Sequence, residues 1–164
     1  MMLCATAGQA CLLPPPIDEE SPDANRPPFI EPIVPFIDGR PVTINCNGQP
    51  TLFLANIGDD NLRDSLYYRF FIDYYRRDPE DILDTRIGEA PPTPGRARVA
   101  QESITANNPI LLERPGDVHV VELYLSDREF NDSPDDEPSV VGRVVVEGGL
   151  TATYSWAVYP IECN

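Results

Sequence analysis

Four aspartates, Asp127, Asp132, Asp135 and Asp136, fall within one acidic stretch, SDREFNDSPDDEP (126–138). Clustered carboxylates are hard oxygen donors, and a loop that wraps them around an ion is how proteins bind calcium. The spacing does not follow the EF-hand pattern, so this is a calcium-site expectation without a motif behind it. The simpler account of the same residues is a solvated acidic loop. A second acidic loop, GDDNLRD (58–64), could lie at either end of the fold, and the sequence does not place it beside the first.

Other chemistry is thinner. The single histidine, His119, falls on the aliphatic face of a β-like repeat, where a buried ring with satisfied nitrogens is the ordinary reading. No GxSxG context or comparable nucleophile accompanies it, so base catalysis has no partner. Carboxylate pairs such as Asp59 with Asp60 and Asp73 with Asp84 resemble a hydrolase pair. In a chain with 27 acidic residues such pairs arise by chance. We therefore expect no catalytic residues, no enzyme activity and no cofactor, with calcium the one open alternative.

The cysteines carry a different message. There are four, Cys4, Cys11, Cys46 and Cys163, with no CxxC or Cys/His spacing for zinc. Residues 1–11 look like the end of a secretion signal or a lipoprotein box, with Ala10 just before Cys11. On that reading Cys11 carries lipid, Cys4 leaves with the signal, and Cys46 and Cys163 remain to form a disulfide. Alternatively, Cys4 and Cys11 bridge locally. Export to the cell envelope or to the medium follows from either.

Charge narrows the partners. The chain has 164 residues and a formal net charge of −15, and all twelve basic residues are arginine. That field repels phosphate, which argues against nucleic acid and anionic bilayers as partners. Membrane attachment would have to come from an N-terminal lipid.

The elements that hold these groups are mostly strands. Residues 12–32 are proline-rich and acidic, and are expected to form a disordered tether. The domain proper is expected over 33–164. Alternation at period two appears in PVTINC (41–46), TLFLANI (51–57), RVAQESIT (98–105), RPGDVHVVELYLSD (114–127), SVVGRVVVEG (139–148) and LTATYSWAVYPIEC (150–163). The most distinctive stretch is SLYYRFFIDYYRR (65–77). Period two puts Leu66, Tyr68, Phe70, Ile72 and Tyr74 on one face, a strand signature, whereas a helix would carry aromatics nearly all round. Asp78 followed by Pro79 allows one helical turn after it. About seven short strands with almost no helix imply an all-β antiparallel sandwich. Tyr67, Tyr75 and Tyr124, with Arg69, fall on the mixed strand faces and are the candidate surface contacts for a glycan or a protein partner.

Three stretches carry a family resemblance. PGDVHVVELYLSD resembles the penultimate strand of PKD-type and related immunoglobulin-like bacterial modules, and LYYRFFIDY is similar to their central strand. DANRPPFIEP resembles the Asn-x-Pro-Pro linker that introduces such domains, and the whole chain resembles exported bacterial lipoproteins. The resemblance implies an Ig-like sandwich in the periplasm or on the cell surface, serving as a binding or structural module. It transfers no catalytic residue.

Overall fold

Two β-sheets pack face to face in the computed structural model, which describes residues 25–35, 40–44, 49–83, 85–93, 98–132 and 141–160. The chain runs through β1 (Phe29–Val34), β2 (Val42–Ile44), β3 (Thr51–Gly58) and β4 (Leu66–Ile72). A 3₁₀ turn (Tyr74–Arg76) and α1 (Pro79–Leu83) follow, then β5 (Gly88–Ala90), β6 (Arg98–Ile104), α2 (Pro109–Leu112), β7 (His119–Ser126) and β8 (Thr151–Pro160). One sheet has the order β1-β3-β6 and the other β2-β8-β7-β4-β5. The all-β sandwich expected from the alternation is the fold.

Alternation decides which residues enter the core. On β7, His119, Val121, Leu123 and Leu125 all point between the sheets, and on β8 Trp156 and Val158 do the same. On β3 the inward set is Phe53, Ala55 and Ile57, while Leu52 stays exposed. Phe53 meets Trp156 edge to face across the two sheets, with ring centroids 5.5 Å apart. Trp156 also stacks near Phe70 and donates its indole N–H to the carbonyl of Pro35 at 3.3 Å. This is the usual demand of a buried indole: aromatic packing for the ring and a partner for the N–H.

The edges use small residues under aromatic rings. Phe29 pairs with Gly58, and Tyr68 with Gly88. In each case the aromatic ring occupies the space where a Cβ on the glycine would stand. Each glycine thus lets a neighbouring strand's ring lie flat against its backbone.

Five expectations change. β1 lies partly within the stretch read as a tether, because Pro32 is tolerable on an edge strand where its missing N–H costs nothing. The β2–β8 pair is parallel, so the sandwich is not wholly antiparallel. SVVGRVVVEG (139–148) does not make a strand over its described part: residues 141–143 turn, and Val145 makes only an isolated bridge to Phe130. Gly142 sits there at φ 73°, a left-handed conformation incompatible with a regular strand. Finally, Tyr74 does not share the inward face with Leu66 and Phe70: β4 ends at Ile72, Asp73 turns the chain at φ 49°, and Tyr74 packs against Phe71 in a separate cluster. Beyond β6, NNP (107–109) starts a helix: Asn108 accepts the Ile110 N–H at 3.0 Å, Pro109 occupies the first position, and Leu111 is buried. The expected Asp78–Pro79 start of α1 is present.

Cys4, Cys11, Cys46 and Cys163 all lie outside the described residues. The parallel β2–β8 pair sets Ile44 opposite Pro160, so the strand ends that precede Cys46 and Cys163 in sequence run side by side. If those two cysteines are bridged, reduction should cost roughly 4–5 kcal/mol by loop-closure entropy. Thermal melts with and without reductant test this, and an unchanged midpoint in a Cys46→Ser variant would refute the bridge.

Candidate functional site

The outer face of β4 and β7 is where the candidate contact residues converge, and it is largely covered. Phe71, Tyr74, Ile82 and Val141 form a second apolar cluster there, with Tyr124 packed against it. Arg69, expected at the surface, is only 1% exposed. Its Nη1 donates to Asp132 Oδ1 at 2.9 Å and to the Gly142 carbonyl at 3.0 Å, and its Nη2 pairs with Asp132 Oδ2. The guanidinium also lies over the Phe130 ring, 4.7 Å from its centroid. Both Asp132 oxygens are thereby engaged as salt-bridge acceptors.

Arg143 is the second cation in this layer. Its guanidinium carbon is 3.5 Å from the centroid of Tyr74, 5.1 Å from Tyr75, 5.3 Å from Tyr124 and 5.6 Å from Phe71. It pairs with Glu122 and donates to the Tyr75 hydroxyl at 3.1 Å. Burial pushes the Glu122 carboxyl above its ordinary pKa, and Arg143 pulls it back. Tyr74 donates to the Val141 carbonyl at 2.7 Å and Tyr124 to the Arg143 carbonyl at 3.2 Å, which pins residues 141–143 onto the sheet. Of the three candidate tyrosines, Tyr75 is 78% exposed and Tyr67 and Tyr124 are half-buried.

His119 belongs to a structural knot. Asp73, held at φ 49°, accepts the Val120 N–H through Oδ1 at 2.9 Å. Its Oδ2 lies 2.6 Å from His119 Nδ1 and 2.9 Å from Arg114 Nη2. His119 Nε2 faces the Arg114 carbonyl at 3.2 Å, so both ring nitrogens of a fully buried imidazole have partners. The satisfied-core reading of His119 fits this geometry, and what sequence reasoning missed is the role of Asp73, which it weighed only as one of a chance pair of acids. Its only sequence signal was an acid interrupting an apolar strand.

At the end of the β4–β7 pair lies a polar cleft of about 340 Å³. Tyr67, Ser65, Arg63 and Asp64 line one side, and Asp127, Arg128, Glu129 and Val146 the other. Tyr67 donates to Glu129 Oε1 at 3.3 Å. Burial and the carboxylates of Glu129 and Glu89 push the Tyr67 phenol above its ordinary pKa.

Asp127 lines this cleft, and Asp59 of the other acidic loop lies near enough to feel its charge. Asp127 is 3% exposed: its Oδ1 accepts the Leu150 N–H at 2.7 Å and its Oδ2 accepts from Asn25 Nδ2 at 2.7 Å. Asp59, also 3% exposed, accepts the Asn61 N–H through Oδ1 at 2.7 Å. Its Oδ2 is buried without a hydrogen-bond partner. Burial pushes the Asp59 carboxyl up; the Asn61 N–H lowers it, Asp127 and Asp64 raise it again, and Arg98 opposes them. Asp127 and Asp132 have separate partners, and Asp135 and Asp136 lie outside the described residues. Among the described residues no three His, Cys, Asp or Glu side chains form a group able to hold a metal ion.

Removing the carboxylate that neutralises Arg69 should be expensive. We expect Asp132→Ala to cost about 2–4 kcal/mol in urea unfolding, somewhat below a fully buried pair because the Asp132 side chain is 23% exposed. The double variant Arg69→Met with Asp132→Leu should be more stable than Asp132→Ala alone, and the reverse order would refute the reading.

The chain matches no family model, no curated protein and no solved structure.

Proposed function

We propose that the chain is a non-enzymatic binding or structural module of the bacterial envelope, or a secreted one, tethered through its N-terminus. The observation that carries the binding role is the cleft beside Tyr67. Its 340 Å³ falls at the small end of ligand pockets, roughly 300–1,000 Å³. The lining offers an aromatic ring, two exposed arginines and carboxylates of both loops, a mixture of donors and acceptors rather than an apolar hole. Sugar hydroxyls both donate and accept, and a ring face stacks on pyranose C–H groups, so a glycan suits this lining. A carbohydrate-binding accessory role is therefore the favoured form of the proposal, with a protein partner as the other.

Support for a non-catalytic role comes from His119, whose two nitrogens are committed to Asp73 and Arg114. The N-terminal tether rests on Cys11 and the small residues before it. Two measurements check the proposal. A glycan array followed by calorimetry should show binding that Arg128→Ala and Tyr67→Ala each weaken at least tenfold, about 1.4 kcal/mol. Equal binding by folded variants would remove the cleft from the proposal. Lipid labelling of the full-length product in cells should be lost in Cys11→Ser; an unlabelled, soluble wild type would refute the lipid.

A further inference from the structure

Most arginines of this chain are engaged by its own acids and carbonyls. Arg26, Arg69, Arg76, Arg77, Arg114 and Arg143 pair with carboxylates, and Arg98 donates to the Asp64 carbonyl at 2.6 Å. Among the described residues, the guanidinia of Arg63, Arg86 and Arg128 make no such bond, and two of these three line the cleft beside Tyr67. With 27 acidic residues against twelve basic ones, a guanidinium here does not lack candidate partners.

In the lining, the acids are engaged and the cations are not. Asp127 accepts through both oxygens, from the Leu150 N–H and from Asn25 Nδ2. Asp64 Oδ2 accepts from Asn61 Nδ2 at 2.7 Å, and Glu129 Oε1 accepts from the Tyr67 hydroxyl at 3.3 Å. Arg63 and Arg128 keep their side-chain donors, each a planar fork of N–H groups that matches a carboxylate.

We infer that the cleft takes an acidic saccharide, a sugar ring bearing one carboxylate of the uronic type, which Arg63 and Arg128 receive. The inference rests on the glycan reading above and specifies its ligand class. Tyr67 offers the ring a face to stack on, and Asp64 and Glu129 each keep one oxygen for a sugar hydroxyl. A lining that holds acids beside arginines also discriminates by ligand charge. One carboxylate gripped by two forks tolerates the neighbouring acids, whereas a doubly charged phosphate meets them with twice the repulsion. The net charge of −15 works at longer range, where salt at about 0.15 M screens exposed charges beyond ~8 Å. It hinders the approach of a polyanion without cancelling contact inside the cleft.

The test is calorimetry of the full chain in about 0.15 M salt with matched sugars, glucuronides beside glucosides and galacturonides beside galactosides. The acidic member of at least one pair should bind at least tenfold more tightly than its neutral partner. Arg63→Gln and Arg128→Gln should each remove most of that advantage. Both side chains are exposed and unbonded within the described chain, so the fold does not depend on them. Arg86→Gln removes an equally free cation outside the cleft and should keep the preference, which separates a site from a change in net charge. Equal or weaker binding of the acidic members overturns this inference and leaves the glycan reading standing. Silence across the whole glycan array overturns both. An acidic preference that survives in either cleft variant, or that Arg86→Gln also removes, overturns the assignment to these two arginines.

Discussion

A guanidinium lies in the middle of a strand, on the sheet face turned away from the core, and it is almost entirely out of water. Arg69 cannot be deprotonated, so the chain must bring it an anion and acceptors. Asp132 and the Gly142 carbonyl do so, and both come from the β7–β8 connection. Once that connection is drawn over β4, Phe130, Val141 and Arg143 are carried with it. The second apolar cluster and the aromatic surround of Arg143 are consequences of the same requirement. What a two-layer sandwich would leave wet becomes a partial third layer.

That layer explains where sequence reasoning succeeded and where it stopped. Alternation reports which residues share a face, so the inward run of β4 from Leu66 to Ile72 and the burial of His119 on β7 were legible, whereas Tyr74 left that face once the strand ended at Ile72. It says nothing of whether a distant loop returns to cover the other face. Arg69 and Phe71 share the mixed face of β4, and neither a strand pattern nor a charge count reveals Asp132, sixty-three positions on, as a partner. The valines of 139–148 read as a strand because β-propensity measures fit to a pleated surface, and a turn packed on a sheet offers Val141 a similar surface. β1 was hidden by Pro32 and the prolines on either side of it, and β5 by its three-residue length.

Candidate sites divide along the same line. His119 was readable because its burial follows from its own strand. The nearness of Asp59 to Asp127 depended on which end of the sandwich each loop occupies, and that is a property of topology. Tyr67 remained accessible because it lies at the end of β4, beyond the cover that the connection provides, whereas Tyr124 lies under it. Period two assigns both to the same kind of face. Position along the strand, relative to a loop far away in sequence, separates them.

The lengths of the outermost strands bear on how copies of the molecule meet. β2 and β5 are three residues each, and β1 carries Pro32, so these borders expose few free backbone donors and acceptors. β6, at seven residues, is the longest border strand of the two sheets apart from these, and it presents Gln101, Glu102 and Ser103 to solvent. An acidic side chain on that border resists a second strand that carries the same charge. In a crowded or concentrated setting, strand-to-strand accretion between copies is thus restricted at three borders by geometry and opposed at the fourth by charge.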